Sequence, residues 1–108
     1  MLVDSSALLE QVTDDVVRSA FDSAGQRCSA LRILCIQEEI YEDLVEMIKG
    51  NMSVQKIGDP NDFDTDIGPI ISAEAIQKLN TYIEECKKDG LDVFQAIEPP
   101  EKNLRNKF

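Results

Sequence analysis

Apolar positions near the start of the chain recur at intervals of three and four residues. This spacing predicts an amphipathic helix that begins near Ala7, because such intervals place side chains on one helical face. The polar residues Asp4, Ser5 and Ser6 precede it and are candidates for its N-cap. Gly25 follows it, where a left-handed residue would end the helix. The apolar stripe consists of Leu8, Leu9, Val12, Val16, Ala20 and Phe21.

Two more helices and several short strands are predicted downstream. The continuous apolar run at residues 33–36 favours a strand covered on both faces, as in parallel sheets. One helix is predicted over residues 39–52, and a second runs from the N-cap candidate Ser72 to about Lys88, followed by Gly90. Short strands are expected at residues 1–3 and 91–94. This order predicts an α/β fold with a short, mostly parallel sheet and about three helices.

The predicted helices and loops also define a domain boundary. Turn-forming residues at 56–69 predict a long surface loop. We expect one domain over residues 1–96 and a polar, mobile tail over residues 97–108. The residues predicted to face inward on the second and third helices are Ile40, Leu44, Val45, Met47, Ile48, Met52, Ile76, Leu79, Ile83 and Cys86.

The charge of the chain restricts its partners. Its 108 residues include 11 Lys and Arg against 21 Asp and Glu and no His, which gives a formal net charge of −10. Such a surface repels phosphate backbones and anionic membranes. No apolar run long enough to span a bilayer and no secretory signal is visible. We therefore expect a cytoplasmic protein that binds neither nucleic acid nor membranes.

Cys28 is the strongest candidate for a chemically reactive residue. The three cysteines form no CxxC motif, so neither a disulfide framework nor a zinc site is predicted. Cys28 lies between a predicted helix and a strand, beside Arg27, where a cation and backbone N–H groups favour the thiolate. Composition alone nevertheless favours a structural role, because free cysteine usually packs as a small hydrophobe. Cys35 and Cys86 lie in apolar patterns and are interpreted in that way.

The acidic residues predict no metal site. Adjacent acidic pairs on the predicted helices are interpreted as solvated faces, because neighbouring helical positions do not face each other. The aspartates of the predicted loop are Asp59, Asp62, Asp64 and Asp66. They lack the glutamate that closes an EF-hand, so a calcium site is not predicted there.

The residues around Cys28 resemble a known active-site motif. The segment FDSAGQRCSALR at residues 21–32 is similar to the cysteine motif of the aldehyde dehydrogenase superfamily, and most of all to its pyrroline-5-carboxylate (glutamate semialdehyde) dehydrogenases. The segments KIGDP at residues 56–60 and TDIGPII at residues 65–71 resemble the G-D-P and T-D-x-G-P loop of the same family. The resemblance covers residues 1–96 and implies part of the family's catalytic domain.

The resemblance implies NAD-dependent oxidation of L-glutamate γ-semialdehyde to glutamate in proline catabolism. Cys28 would attack the aldehyde carbon to form a thiohemiacetal, which would pass hydride to NAD and leave a thioester for hydrolysis. The Cys28 N–H would contribute to the oxyanion hole, and such a donor is worth ~3 kcal/mol in the transition state. Ser29 would hydrogen-bond the substrate carboxylate, while Gln26 and Arg27 would only frame the site.

Other parts of the family's machinery are not among these residues. The E-x-G-G-K-N segment with the general-base glutamate and the nucleotide-binding domain are both missing from the sequence. We therefore expect the isolated chain to bind no NAD and to be inactive. Two alternatives stay open, namely one chain of a split enzyme and a non-catalytic α/β interaction module. Open sheet edges and exposed apolar surface also predict self-association or a complementing chain.

Overall fold

Two short parallel strands and three α-helices form the fold in residues 1–98, the part of the chain that the computed structural model describes. The elements are β1 (Leu2–Val3), α1 (Leu9–Phe21), β2 (Cys35–Ile36), α2 (Tyr41–Ser53) and α3 (Ala73–Lys88). Short 3₁₀ helices at Asp22–Gly25 and Glu38–Ile40 follow α1 and precede α2. The strands pair in parallel, with Leu2 opposite Cys35. The predicted fold class is confirmed.

The core lies where α1 packs against α2. It contains Val16 and Val17 from α1, and Leu44 from α2, whose side chain has 0% exposure. Burying a leucine completely contributes roughly 1.5–3 kcal/mol. Two of these positions, Val16 and Leu44, were predicted to face inward. Val17 was not, and neither was Thr13, whose hydroxyl is satisfied within the helix because it donates to the Leu9 carbonyl at 2.8 Å.

The ends of the helices agree only partly with the predicted caps. The prediction for α1 is wrong, because its N-cap is Leu8, which makes no side-chain cap. Asp4 instead accepts the Ser6 N–H at 2.9 Å, which closes a turn ahead of the helix. The hydrogen bonds from the Ser6 hydroxyl and N–H lower the pKa of the Asp4 carboxyl.

The predicted caps of α3 are confirmed at both ends. Ser72 is the N-cap, and its hydroxyl accepts the Ala75 N–H at 3.1 Å. Gly90 has φ +77° and donates to the Lys87 carbonyl at 3.1 Å. The next N–H, from Leu91, donates to the Cys86 carbonyl at 3.0 Å. This pair of bonds is the Schellman motif, in which a left-handed glycine ends a helix.

The predicted strands are shorter or absent. The run at residues 33–36 forms a strand only at Cys35–Ile36. It is not covered on both faces within residues 1–98, because Ile33 is 71% exposed and Cys35 is also exposed. The strand predicted at residues 91–94 is not observed, since no neighbouring strand in the described part of the chain pairs with it.

The apolar face of α3 has no covering layer among the described residues. None of its residues is buried, and Leu79 and Ile83, which were predicted to face inward, are 49% and 39% exposed. Ile76 and Cys86 are half-buried. The stripe therefore predicted the helix correctly but not its burial. The predicted domain end at residue 96 stays untested, and the predicted tail lies outside the described residues from position 99 onwards.

Candidate active site

Cys28 and Ser29 occupy the centre of a tight turn. The Ala30 N–H donates to the Arg27 carbonyl at 3.2 Å, which closes a four-residue β-turn around them. Ala30 is buried, while Cys28 and Ser29 are both exposed. The Leu31 N–H donates to the Ser19 carbonyl at 3.0 Å. The turn is thus anchored to the end of α1 and leaves the thiol and the hydroxyl accessible.

A strained segment precedes this turn. Ser23, Ala24 and Gly25 have φ values of 56°, 53° and 67°, so three consecutive residues are left-handed. A serine or an alanine in this sparsely populated backbone region costs about 1–3 kcal/mol of free energy. Gly25 was predicted to be left-handed, and it must be glycine, because a Cβ there would lie 2.9 Å from the Ala20 carbonyl oxygen. Such strain persists only where the surrounding contacts fix the backbone.

Two arginine side chains supply part of that fixation. Arg32 Nη2 donates to the carbonyl of Gly25 at 2.8 Å and to that of Arg27 at 3.4 Å. The Arg27 guanidinium donates from Nε and Nη2 to Ser23 Oγ at 3.1 and 2.9 Å. Arg27, which was expected to favour the Cys28 thiolate, therefore has its guanidinium engaged by the Ser23 hydroxyl. Both arginines tie the left-handed segment to the cysteine turn.

Gln26 joins the cysteine turn to a distant segment. Its Nε2 donates to the Pro69 carbonyl at 3.2 Å and to the Ser23 carbonyl at 3.0 Å. Its Oε1 accepts the Ile71 N–H at 2.8 Å. The two segments that carry the motif resemblance, residues 21–32 and residues 65–71, are therefore in direct contact. The framing role expected of Gln26 stays a prediction, and these bonds are the contacts through which it would act.

The loop at residues 56–69 is closed by its own hydrogen bonds. The Asp66 and Ile67 N–H groups donate to the Lys56 carbonyl at 2.9 and 3.0 Å, and the Lys56 N–H donates to Asp66 Oδ2 at 2.8 Å. The Lys56 ammonium also forms an ion pair with Asp64. This hydrogen-bonded pair raises the pKa of Lys56 and lowers the pKa of Asp64. The loop is thus an ordered surface feature beside the segment that Gln26 contacts.

The other two cysteines differ from each other. Cys35 is exposed, so the prediction that it packs in the interior is wrong; the face of the sheet that carries it is uncovered. Cys86 is half-buried on α3. Its hydrogen bond with Tyr82 raises the pKa of that phenol. Exposure alone therefore does not distinguish Cys28 from Cys35.

Sequence reasoning missed Ser23 and Arg32 as parts of the site. A cation a few residues after a helix end can bind free carbonyls, and this signal could have indicated Arg32. Nothing in the sequence pattern indicated that Ser23 is left-handed. No group of three or more acidic or cysteine side chains within residues 1–98 is arranged to hold a metal ion. In the same part of the chain, no helix has the length and apolar character needed to cross a membrane.

Two features of the described residues do not suit the phosphates of a dinucleotide. The sequence contains no G-x-G-x-x-G run to approach a pyrophosphate. The start of α2 follows the acidic residues Glu38 and Glu39, which repel phosphate. An apolar cleft of about 400 Å³ is lined by Phe21, Met52, Ile83 and Phe94 among others, and it does not include Cys28.

Comparison with known proteins gives matches over most of the chain. A family model described as "Aldehyde dehydrogenase family" matches residues 1–108. The chain is 50% identical over 105 residues to the bifunctional protein PutA of Klebsiella aerogenes, covering 97% of this chain and 8% of that protein. It is 38% identical over 90 residues to the 1-pyrroline-5-carboxylate dehydrogenase of Geobacillus sp. (strain WCH70), covering 83% of this chain and 18% of that enzyme.

A solved structure extends the similarity to the fold. The betaine aldehyde dehydrogenase of Staphylococcus aureus, in complex with NAD+, superimposes with a TM-score of 0.89 at 25% identity. The match covers 98% of this chain and 21% of that one. The chain therefore spans about a fifth or less of the proteins to which it is similar.

Proposed function

Because this chain belongs to the aldehyde dehydrogenase family, we propose that it carries the nucleophilic cysteine of an enzyme that oxidises L-glutamate γ-semialdehyde to glutamate. Family membership makes it part of an oxidoreductase, and the similarity to PutA and to 1-pyrroline-5-carboxylate dehydrogenase supports this substrate and a place in proline catabolism. The observation that carries the proposal is the exposed Cys28 at the centre of a turn fixed by Arg32 and Gln26.

Cys28 is the group that reacts with the aldehyde. Its thiolate adds to the carbonyl carbon, so that a C–S bond forms and the π electrons of the carbonyl move to oxygen. The oxyanion lies near the Cys28 N–H, and a backbone donor of this kind is worth ~3 kcal/mol in a transition state. The turn supports this role because it exposes the thiol while its backbone stays fixed.

Ser29 is the residue that we assign to substrate binding. It lies next to Cys28 in the same β-turn and is also exposed. A hydroxyl donates a hydrogen bond to a carboxylate, and such charge-assisted bonds are short and strong. One turn can therefore present the nucleophile and a donor to the two ends of a short carboxylated aldehyde.

NAD is the cofactor that we propose for the whole enzyme. A relative in the family has been solved in complex with NAD+. The residues described here do not fit NAD, so their own chemistry ends with the addition of the thiol. We propose that the isolated chain is inactive, because a positioned reaction partner alone lowers such barriers by about 7–11 kcal/mol. The working assembly is a larger one, which we place in the cytoplasm.

An exposed apolar face favours a partner for this chain. Leu79 and Ile83 on α3 lack a covering layer within residues 1–98, which supports a complementing chain or a second copy rather than an independent monomer. The same observation supports a split enzyme as the second candidate. A purely non-catalytic module is supported less, because it does not explain why the strained backbone adjoins Cys28.

A chimeric enzyme tests the proposed function. Residues 1–96 replace the matching segment of the PutA protein of Klebsiella aerogenes, to which the chain is 50% identical. We expect the chimera to reduce NAD with glutamate semialdehyde, and we expect Cys28→Ala to abolish that activity. Cys35→Ala is the matched control, because Cys35 is also exposed, and it should leave turnover unchanged. A folded chimera that is inactive, or one insensitive to Cys28→Ala, would contradict the proposal.

A further inference from the structure

We propose that Gln26 and Arg32 are positioning residues that hold the Cys28 turn in a single conformation and tie it to the segment at residues 69–71. The inference rests on the proposed function, since it assigns these residues to the site of the nucleophile. It begins from the strain in the backbone. Ser23 and Ala24 are left-handed without being glycine, so the segment returns to an ordinary conformation unless contacts prevent it.

Arg32 stabilises the segment from its carbonyl side. One nitrogen, Nη2, donates to the Gly25 carbonyl at 2.8 Å and to the Arg27 carbonyl at 3.4 Å. Gly25 is the last of the left-handed residues, and Arg27 is the first residue of the β-turn around Cys28. A single guanidinium therefore joins the strained segment to the turn. Charge-assisted bonds of this kind are about twice as strong as neutral ones.

Gln26 acts from the other side through a three-bond clamp. Its amide nitrogen donates to the carbonyls of Ser23 and Pro69, and its amide oxygen accepts the Ile71 N–H. The bonds at 3.2 and 2.8 Å resemble one rung of a strand pairing, made by a side chain with a backbone 43 and 45 residues away. Gln26 directly precedes the β-turn, so any movement of residues 69–71 is transmitted to Cys28.

The clamp uses both functions of the amide, which makes it testable by an isosteric change. In Gln26→Glu, the carboxylate still accepts the Ile71 N–H but cannot donate to Pro69 or Ser23. In Gln26→Ala, both the donor and the acceptor of the side-chain amide are lost. For the arginine, Arg32→Lys keeps one charged donor and Arg32→Ala keeps none. A matched control is Gln77→Glu, which adds the same charge at an exposed position on α3.

The experiment measures iodoacetamide alkylation in the full chain and reports the rate for Cys28 divided by the rate for Cys35 in the same sample. Cys35 is exposed and lies on β2, outside the turn, so it is an internal reference for general unfolding. We expect Gln26→Glu and Arg32→Ala to lower this ratio by roughly three- to tenfold. This factor corresponds to the net free energy of one hydrogen bond that holds the turn in its single conformation. Arg32→Lys should restore part of the loss, and Gln77→Glu should leave the ratio unchanged.

Amide hydrogen exchange separates positioning from loss of structure. The Ile71 N–H should exchange roughly three- to tenfold faster in Gln26→Ala but stay protected in Gln26→Glu, which keeps its acceptor. The Val16 N–H in the core should be unaffected in both. Equal changes at Val16 and Ile71, or an unchanged alkylation ratio in all four site variants, would overturn the proposal. The chimera tests the proposed function separately, because an inactive chimera does not alter the alkylation ratio of the chain itself.

Discussion

The part of the chain that contains α1 and α2 and the part that contains α3 differ in how they are stabilised. Helix α1 has no side-chain cap, yet it buries Val16 and Val17 against α2. Helix α3 has a serine N-cap, a Schellman ending and an ion pair between Glu74 and Lys78, yet it buries no residue. Stabilising caps and a side-chain ion pair therefore occur in α3, whereas tight packing occurs between α1 and α2.

The apolar stripes of α1 and α3 show what such a pattern can specify. A stripe at three- and four-residue intervals specifies a helix with an apolar face, but the partner of that face lies elsewhere in the sequence or in another chain. For α1 that partner is α2. For α3 no covering layer exists within residues 1–98, and its caps act in place of burial. The cysteine turn follows the well-packed helix after the left-handed segment and is anchored to that helix by the hydrogen bond from the Leu31 N–H to the Ser19 carbonyl.

The strongest test of the comparison is the oligomeric state. We propose that two or more copies associate through the α3 face, so that light scattering gives a mass above the 12.1 kDa of one chain. Salt should strengthen the association, because the net charge of −10 opposes it. Leu79→Glu should restore the monomer, whereas Gln77→Glu should not. A monomer mass over a wide concentration range would show that the exposed face of α3 does not drive association.

Truncation of one leucine in each region should separate their contributions to stability. Leu44→Ala removes a fully buried side chain, and such changes lower the free energy of unfolding by about 2–5 kcal/mol. Leu79→Ala acts on a half-exposed side chain, and a surface change of this kind stays within about 0.5 kcal/mol. Urea denaturation at low protein concentration measures both. Equal losses would mean that α3 is as well packed as α2.

Substitution of two glycines by alanine tests how strongly the backbone is constrained at the end of α1 and within α2. Gly25→Ala places a Cβ 2.9 Å from the Ala20 carbonyl oxygen at φ +67°, so we expect a loss of about 1–3 kcal/mol. Gly50→Ala meets nothing within 4 Å inside α2 and should stabilise the protein by about 0.5–1 kcal/mol. Thermal unfolding of the two variants should therefore shift in opposite directions. A harmless Gly25→Ala would contradict the close approach at the end of α1.

The ends of α3 and the fold class were predictable from the sequence, whereas the cap of α1 and the burial of individual side chains were not. Ser72 and Gly90 fix the ends of α3 because caps act within a few residues, and both were predicted. The burial of Thr13 was missed, since a hydroxyl that bonds within its own helix looks polar in the sequence. The strand expected at residues 91–94 needs a neighbouring strand, and no strand in the described part of the chain pairs with it.

The same distinction applies to the candidate site. Cys28 and Ser29 were identified from the motif, because the motif is a run of neighbouring residues. The left-handed geometry of Ser23 was not predictable, since serine has no preference for it and the contact with Arg27 that supports it is made by a side chain. The bonds from Gln26 to residues 69–71 span more than 40 positions, and only the folded chain brings the two segments together.

The smallest expected effect is the pH dependence of the ion pair in the loop. The pKa of Asp64 is lowered by Lys56, so its contribution to stability is present above the ordinary aspartate value and is lost as the pH falls through the lowered value. The pKa of Lys56 is raised, so its contribution is present below the ordinary lysine value and is lost as the pH rises through the raised one. The pair therefore stabilises the loop across neutral pH.

Both groups are exposed, so the effect should be weak and sensitive to salt. We expect Asp64→Asn to lower the melting temperature slightly at neutral pH and low salt, with the difference vanishing in acid and in concentrated salt. Asp92→Asn, at an exposed position outside the loop, removes the same charge and controls for net repulsion. A difference between Asp64→Asn and the parent chain that persisted in acid would mean that Asp64 stabilises the loop by packing or by neutral hydrogen bonds. The region after α2 would then be stabilised by more than exposed charges and helix caps. It would differ less from the region that contains α1 and α2, which is stabilised by packing.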